Sequence, residues 1–336
     1  MYRFIHSKIA SIIGAFLFAL CHVQAQNDVC FTVQSNPFVE QAALENFSKY
    51  INVLGCFHVL AESDISDQKI LHVAAVTAEL LDQNEDGTVD DQLLEAALSD
   101  GGALMPVLSH EGSEAEESLF DAYEGNGISA VLYKDEIDPG QPGHWGADAT
   151  VEEVLHTINH VGHVMIYPEA FSLTPNSSSL TAAMDLARGG QFIEFPDEYP
   201  DDAWYHYDDS TCDYECMAIE YLYWAIVTEM GLLDDTSTAQ GIEDEWELYS
   251  ADLLASTDVM IHALITDPTF SIPLEAPDGN YCPNLLVVPA AHDVPVKVLK
   301  VLNAFGQEVS PTHPGIQFHL FDDGSVKKIM ANGLSN

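Results

Sequence analysis

Apolar positions recur at helical spacing over residues 67–81, where Ile70, Val73, Ala74, Thr77 and Leu81 define one face. The same pattern predicts helices over 38–50, 91–98, 151–163, 180–187, 212–227, 242–255 and 258–266. Residues 51–60 are apolar but alternate poorly, which reads as a strand or a strand-turn-strand, and 128–133 is a short strand. Residues 101–127 read as acidic and loop-rich. Beyond residue 284 the period changes to that of short strands, at 285–288, 296–302, 317–321 and 326–330. Turns at Gly306, Pro314-Gly315 and Asp323-Gly324 separate them. The expected fold is therefore a mainly α (α+β) central domain followed by a small all-β C-terminal sandwich.

One helical stretch carries unusual chemistry: Val151-Glu-Glu-Val-Leu-His-Thr-Ile-Asn-His-Val-Gly-His163. At about 100° per residue, with Glu153 as zero, His160 falls near about −20°, His156 about −60°, His163 about −80° and Glu152 about −100°. Two carboxylates and three imidazoles thus share one arc, while Val154, Leu155, Ile158 and Val161 take the other side. His-x-x-x-His is the spacing at which imidazoles on successive turns reach one metal ion. Residues 148 and 150 are candidate N-caps, and Pro168 stops the helix near Tyr167.

Glu220 stands in the strongly apolar stretch 212–227 and needs a partner there. It is either a third metal ligand or the partner of Arg188 or another buried donor. The spacing resembles that of gluzincin-type zinc hydrolases, in which a Glu from a later helix completes a two-His site. That resemblance implies zinc (Zn2+) held by His156, His160 and Glu220, with His163 nearby. The expected general base is displaced, because Thr157 follows the first His and Asn159 precedes the second. Glu153, one turn before His156, is then the base or a further ligand.

Charge sharpens this picture. Of 54 acids and 10 cations in the chain, the segment 26–283 holds 50 acids and only Lys49, Lys69, Lys134 and Arg188. From residue 284 there are four of each, so a domain boundary is expected there, between domains 26–283 and 284–336. Such acidity repels phosphates and argues against nucleic-acid partners. Arg188, rare among acids, is a candidate for holding a substrate carboxylate or a buried ion pair.

The loop Asp82-Gln-Asn-Glu-Asp-Gly-Thr-Val-Asp90 has oxygen donors at positions 1, 3 and 5 and Gly at 6, as calcium (Ca2+) loops of the EF-hand type do. Asp82, Asn84, Asp86, Thr88 and Asp90 are the candidate ligands. Leu93 stands where the bidentate Glu belongs. The alternative is an acidic connection in which Gly87 supplies the turn.

Residues 1–25 read as a secretory signal: Arg3 and Lys8, an apolar run from Ile9 to Leu20, then small residues at Val23-Gln-Ala25. No later stretch is long enough to span a membrane. In an oxidising exterior, Cys30 with Cys56 is one candidate disulfide. Cys212 and Cys216 form a second or, less expectedly, a metal site.

The tail carries Val301-Leu-Asn-Ala-Phe-Gly-Gln-Glu-Val309 and Gly315-Ile-Gln-Phe-His-Leu-Phe-Asp-Asp-Gly-Ser-Val-Lys-Lys-Ile329. It resembles the C-terminal sorting domain of the type IX secretion system of gliding and related Gram-negative bacteria, with Ala304-Phe305 departing from the usual Leu-Leu-type pair. The resemblance implies the type IX secretion machinery as a partner, with export across the outer membrane to the surface or medium. The central region is similar to an uncharacterised secreted family through Asp-x-Asn-x-Asp-Gly, Glu-Glu-Val-Leu-His and Asp-x-Thr-Cys-Asp-Tyr-x-Cys, which implies no activity. Two functions follow as expectations. One is a secreted zinc hydrolase acting on peptides; the other is a non-enzymatic calcium-binding surface or matrix protein.

Overall fold

The computed structural model describes residues 31–282 except 208, and in the C-terminal segment residues 298–303, 307–310, 315–321 and 326–331. The signal expected at 1–25, Cys30, and the strand expected at 285–288 lie outside the described residues. The chain divides into two compact units, Met1–Cys282 and Pro283–Asn336. The first combines helices with a mixed sheet and the second contains a small antiparallel sheet, so the protein is α+β.

In the first unit the sheet runs β1 (Gln34–Ser35), β2 (Lys49–Val53), β3 (Phe57–Ala61), β4 (Leu104–Leu108) and β5 (Leu132–Tyr133), in that spatial order. The β1–β2 and β2–β3 pairs are antiparallel; β3–β4 and β4–β5 are parallel. Leu54 and Gly55 turn the β2–β3 hairpin with φ of +48° and +82°. Two successive left-handed residues match the strands' own twist, which is why a glycine stands in this turn. Side chains alternate between two cores: Phe57, Val59, Ala61, Met105 and Val107 face the main one, and Leu60, Leu104 and Leu108 a smaller one. A sheet buried on both faces has continuous apolar strands, which explains the poor alternation over 51–60.

The helices are α1 (Asp67–Leu81), α2 (Gln92–Gly101), α3 (Glu114–Ala122), α4 (Thr150–Ile158), α5 (Val164–Ile166), α6 (Pro168–Phe171), α7 (Ser179–Ala187), α8 (Tyr214–Glu229), α9 (Thr236–Gly241), α10 (Ala251–Thr257) and α11 (Val259–Ile265). Between α4 and α5 the helix continues as a π-turn, Asn159–His163. Helix α8 is the axis of the assembly. Every residue from Met217 to Thr228 except Glu220 is buried, and α4, α7, α10 and α11 pack on it. A helix apolar on all faces belongs in a core. Asp258, itself buried, accepts bonds from the Trp204 indole (2.9 Å), the Tyr221 hydroxyl (2.5 Å) and the Ile261 amide (3.2 Å), tying α8 to the start of α11.

Three expectations are corrected. Residues 38–47 form successive four-residue turns instead of a helix, with the Asn36 side chain donating to the Leu44 and Phe47 carbonyls. Residues 242–250 are irregular around the buried Trp246, whose indole N–H bonds Thr228 and the Leu248 carbonyl, so a helix begins only at Ala251. Cys56 is a free thiol sealed in the core at the hairpin, and burial foremost, with Glu95 nearby, pushes it up to about 12; it is not paired with Cys30. Cys212 and Cys216 are disulfide-bonded with Cα atoms 5.4 Å apart, at the start of α8.

In the second unit β6 (Val298–Asn303), β7 (Gly315–Phe321) and β8 (Val326–Ala331) form one antiparallel sheet in that order. Among the described residues no helix is long and apolar enough to cross a membrane.

The last stretch of the first unit is strapped to α1. Gln83 accepts from the Leu274 and Glu275 amides, and Glu79 from the Gly279 (2.9 Å) and Asn280 (3.0 Å) amides. Burial foremost, with Asp278 alongside, pushes the Glu79 carboxyl up to about 7 from its ordinary 4.5. A carboxyl whose pKa is raised by folding is protonated in both states below about 4.5, and its ionisation favours the unfolded chain above that. Glu79 therefore subtracts stability as pH rises from about 4.5 to about 7, and the loss is complete above 7. Urea unfolding at pH 4 to 8 should show Glu79→Gln gaining on the wild type across this window; an unchanged difference would contradict the assignment.

Candidate metal centre

Helix α4 presents its first-turn acids, Glu152 and Glu153, and then His156 toward α8, which brings Glu220 to meet them. Residue 149, not 148 or 150, is the N-cap, and it has no capping side chain. Asp148 is instead consumed by the Gly143 and Asp138 amides, the Thr150 hydroxyl and buried His72. The first-turn carboxylates sit at the positive end of the helix, where they are favoured.

His156 is the hub. Its Nε2 lies 3.2 Å from Glu220 Oε2 and its Nδ1 3.4 Å from Glu153 Oε2. The ring is buried, edge-on to Tyr223 with centroids 5.6 Å apart, and the Tyr223 hydroxyl hydrogen-bonds the Glu152 carboxylate. Glu152, His156 and Glu220 each offer one ligand atom within 4.8 Å of the others, and among the described residues they alone make such a group.

Electrostatics is the defining property. Burial alone would lower the His156 pKa, but Glu220 and Glu153 override it and hold the ring well above its ordinary 6.5. Burial foremost, with Glu153 and Glu220 adding repulsion, pushes Glu152 up to about 8. No lysine or arginine among the described residues pairs with any of these three carboxylates. His156 Nε2 makes no hydrogen bond of good geometry despite its burial.

The remaining expected residues fall elsewhere. From Asn159 the helix widens, and a wider turn abandons the 100° step on which the three-His arc depends. The widening is locked by a 2.9 Å bond between His163 Nδ1 and Asn159 Oδ1, and by Gly162, where a Cβ would stand 2.3 Å from Leu94 of α2. His160 leaves the group and has Glu215 as its charged neighbour. His163 is fully buried beside Phe171, and desolvation holds it down to about 4, so it is neutral. Neither lies within the group formed by Glu152, His156 and Glu220.

Arg188 is fully buried, donating to the Phe192 carbonyl (2.8 Å) and lying over the Phe192 and Tyr199 rings. It does not pair with Glu220, and it is closed to a substrate. In the acidic loop, Asp82 accepts from the Asp86 and Gly87 amides and from Tyr281, Asn84 donates to Asp90, Asp86 accepts from Thr88, and Asp90 accepts from the Gln83 amide. The expected calcium ligands thus close the loop on itself, and Leu93 is an exposed residue of α2. Thr88 offers only its carbonyl to such a site.

Glu152 and Tyr223 are the members that sequence reasoning did not assign. Glu152 was legible as the residue one helical turn before His156; Tyr223 follows Glu220 by three, on the same face of α8. Comparison with protein-family models, curated proteins and solved structures finds no match to this chain.

The ring's environment gives a direct test. In the metal-free protein at pH 7, nitrogen-15 NMR should find His156 carrying protons on both ring nitrogens. A ring that titrates near 6.5 would contradict the geometry.

Proposed function

We propose that the chain is an exported protein that holds zinc at Glu152, His156 and Glu220 and uses it for hydrolysis of the peptidase kind. The observation that carries the reading is a buried imidazole among three carboxylates with no cationic side chain to balance them. Even with His156 and Glu152 both protonated, Glu153 and Glu220 leave the group negative, and a partly buried charge without a partner is unfavourable. A divalent ion supplies the missing charge. The donor set supports a transition metal over calcium, since calcium takes oxygen ligands and His156 offers nitrogen.

A zinc ion held by Glu152, His156 and Glu220 would supply Lewis-acid chemistry, lowering the pKa of a bound water and polarising a carbonyl. The protein's own groups do the rest. Glu153, at His156 Nδ1, orients the ring, as carboxylates behind metal-bound imidazoles do. Its position makes it an orienting residue in place of the expected base. Tyr223 holds the Glu152 carboxylate and excludes solvent from one side of the group. For the C-terminal unit, the resemblance to a type IX sorting domain supports a role as an export tag. The antiparallel strands are consistent with part of a small sandwich, and the leader at 1–25 supports delivery to the surface or medium.

Elemental analysis of the secreted protein separates this from a calcium-binding matrix role. The expected result is one equivalent of zinc, lost in His156→Ala, and cleavage of a casein digest that stops on chelation. Calcium alone, with no transition metal, would overturn the proposal.

A further inference from the structure

Beside the centre lies a cavity of about 270 Å³ lined by Asp135, Glu136, Trp145, Asp148, Glu152 and Tyr223, together with residues 146, 147 and 149. Two of these residues, Glu152 and Tyr223, also belong to the candidate metal centre, so cavity and centre share a wall. Its size is below that of a pocket for a drug-sized ligand and suits a single extended side chain.

The walls have a consistent chemistry. Trp145 is the one exposed tryptophan of the four. Its indole rests against Gly241 at the end of α9, where an added Cβ would come within 2.5 Å of the ring, so a flat aromatic surface is seated by a residue without a side chain. The lining also carries four carboxyl groups, of Asp135, Glu136, Asp148 and Glu152. Asp148 is spent on His72, Thr150 and two amides. Glu136 uses one oxygen on the Tyr133 amide, at 3.0 Å, and burial, with Glu153 nearby, raises its pKa. Asp135 makes no hydrogen bond from its side chain, and Glu152 meets only the Tyr223 hydroxyl and the metal centre. The nearby cations face away: Lys134 pairs with Asp64 at 2.8 Å, and Lys69 donates to the Lys134 and Ile137 carbonyls.

An indole face next to Asp135 and Glu136, which have no counter-cation, is a receptor for an ammonium or guanidinium group, by cation–π attraction and charge together. A neutral apolar side chain would cover Trp145 and leave the acids without a partner. We infer that this cavity binds a cationic side chain of the substrate, of the lysine or arginine kind, next to the bond presented to the metal centre. Its role in choosing a scissile bond rests on the hydrolase reading; the binding itself does not.

The test uses the secreted full chain and two neutral-backbone probes with the same four-carbon side chain, Nα-acetyl-lysinamide, which ends in an ammonium, and Nα-acetyl-norleucinamide, which does not. Calorimetry and Trp145 fluorescence are read with zinc present and after chelation. The lysine probe should bind about tenfold more tightly than the norleucine probe. Trp145→Ala and the milder Glu136→Gln should each erase most of that preference while zinc content stays unchanged; circular dichroism checks that both fold. Equal affinity for the two probes, no binding of either, or full preference in both folded variants would overturn the inference. Lysine-selective binding without any bound zinc would keep the pocket and sink the metal reading. Bound zinc without selectivity would do the reverse.

Discussion

The interior of the first unit depends on the contact between α4 and α8, and that contact is electrostatic at its centre. Helix α8 is buried from Met217 to Thr228 apart from Glu220, so the partly buried carboxylate in the middle of that run must be answered. The answer from α4 is His156, backed by Glu153 and flanked by Glu152. In a chain with 50 acids and four cations over this region, the usual answer, a lysine or arginine, is not at hand. The only arginine there is committed to packing aromatic rings and a carbonyl. Three partly buried carboxylates around one buried imidazole are not an arrangement that stability favours, since an apolar replacement packs as well. The proposed divalent ion would match both the charge and the donor type of the group.

The π-turn explains why one imidazole of three enters the group. A single widened turn beginning at Asn159 moves His160 toward the start of α8 and buries His163 behind Phe171, while α2 packs on Gly162. Such turns occur often at functional sites. Here its effect is to trade a row of histidines for a mixed group in which the carboxylates dominate. The disulfide between Cys212 and Cys216 fixes the first turn of α8, one turn before Glu220, and so anchors the other half of the same arrangement.

Much of the scaffold was legible because local pattern and tertiary role agree. Helix α1 occupies 67–81 as its apolar spacing predicts, and the apolar run at 51–60 resolves into a hairpin whose two middle residues are left-handed. The failures share a cause, since long-range contacts overrode local signals. Pro106 disguises β4, a central strand in which proline pairs opposite Leu60. Acidic α3 hides among what reads as loop, because only Ala115 and Leu119 of it reach a core. For the site, residue types and helical spacing placed His156 and Glu220 in view. The even 100° step could not anticipate a π-turn that depends on Asn159 bonding His163 and on Leu94 filling the space at Gly162. The reach of Arg188 was likewise beyond spacing, because a long side chain is placed by its aromatic neighbours and not by its own segment.

The account stands or falls on whether a metal ion occupies the space among Glu152, His156 and Glu220. Anomalous diffraction from crystals of the full chain, grown with equimolar zinc and calcium and recorded above and below the zinc edge, addresses this directly. The account predicts one zinc peak bonded to His156 Nε2 and to carboxylate oxygens of Glu152 and Glu220. Zinc confined to other sites, with Glu220 still paired to a protonated His156, would contradict it.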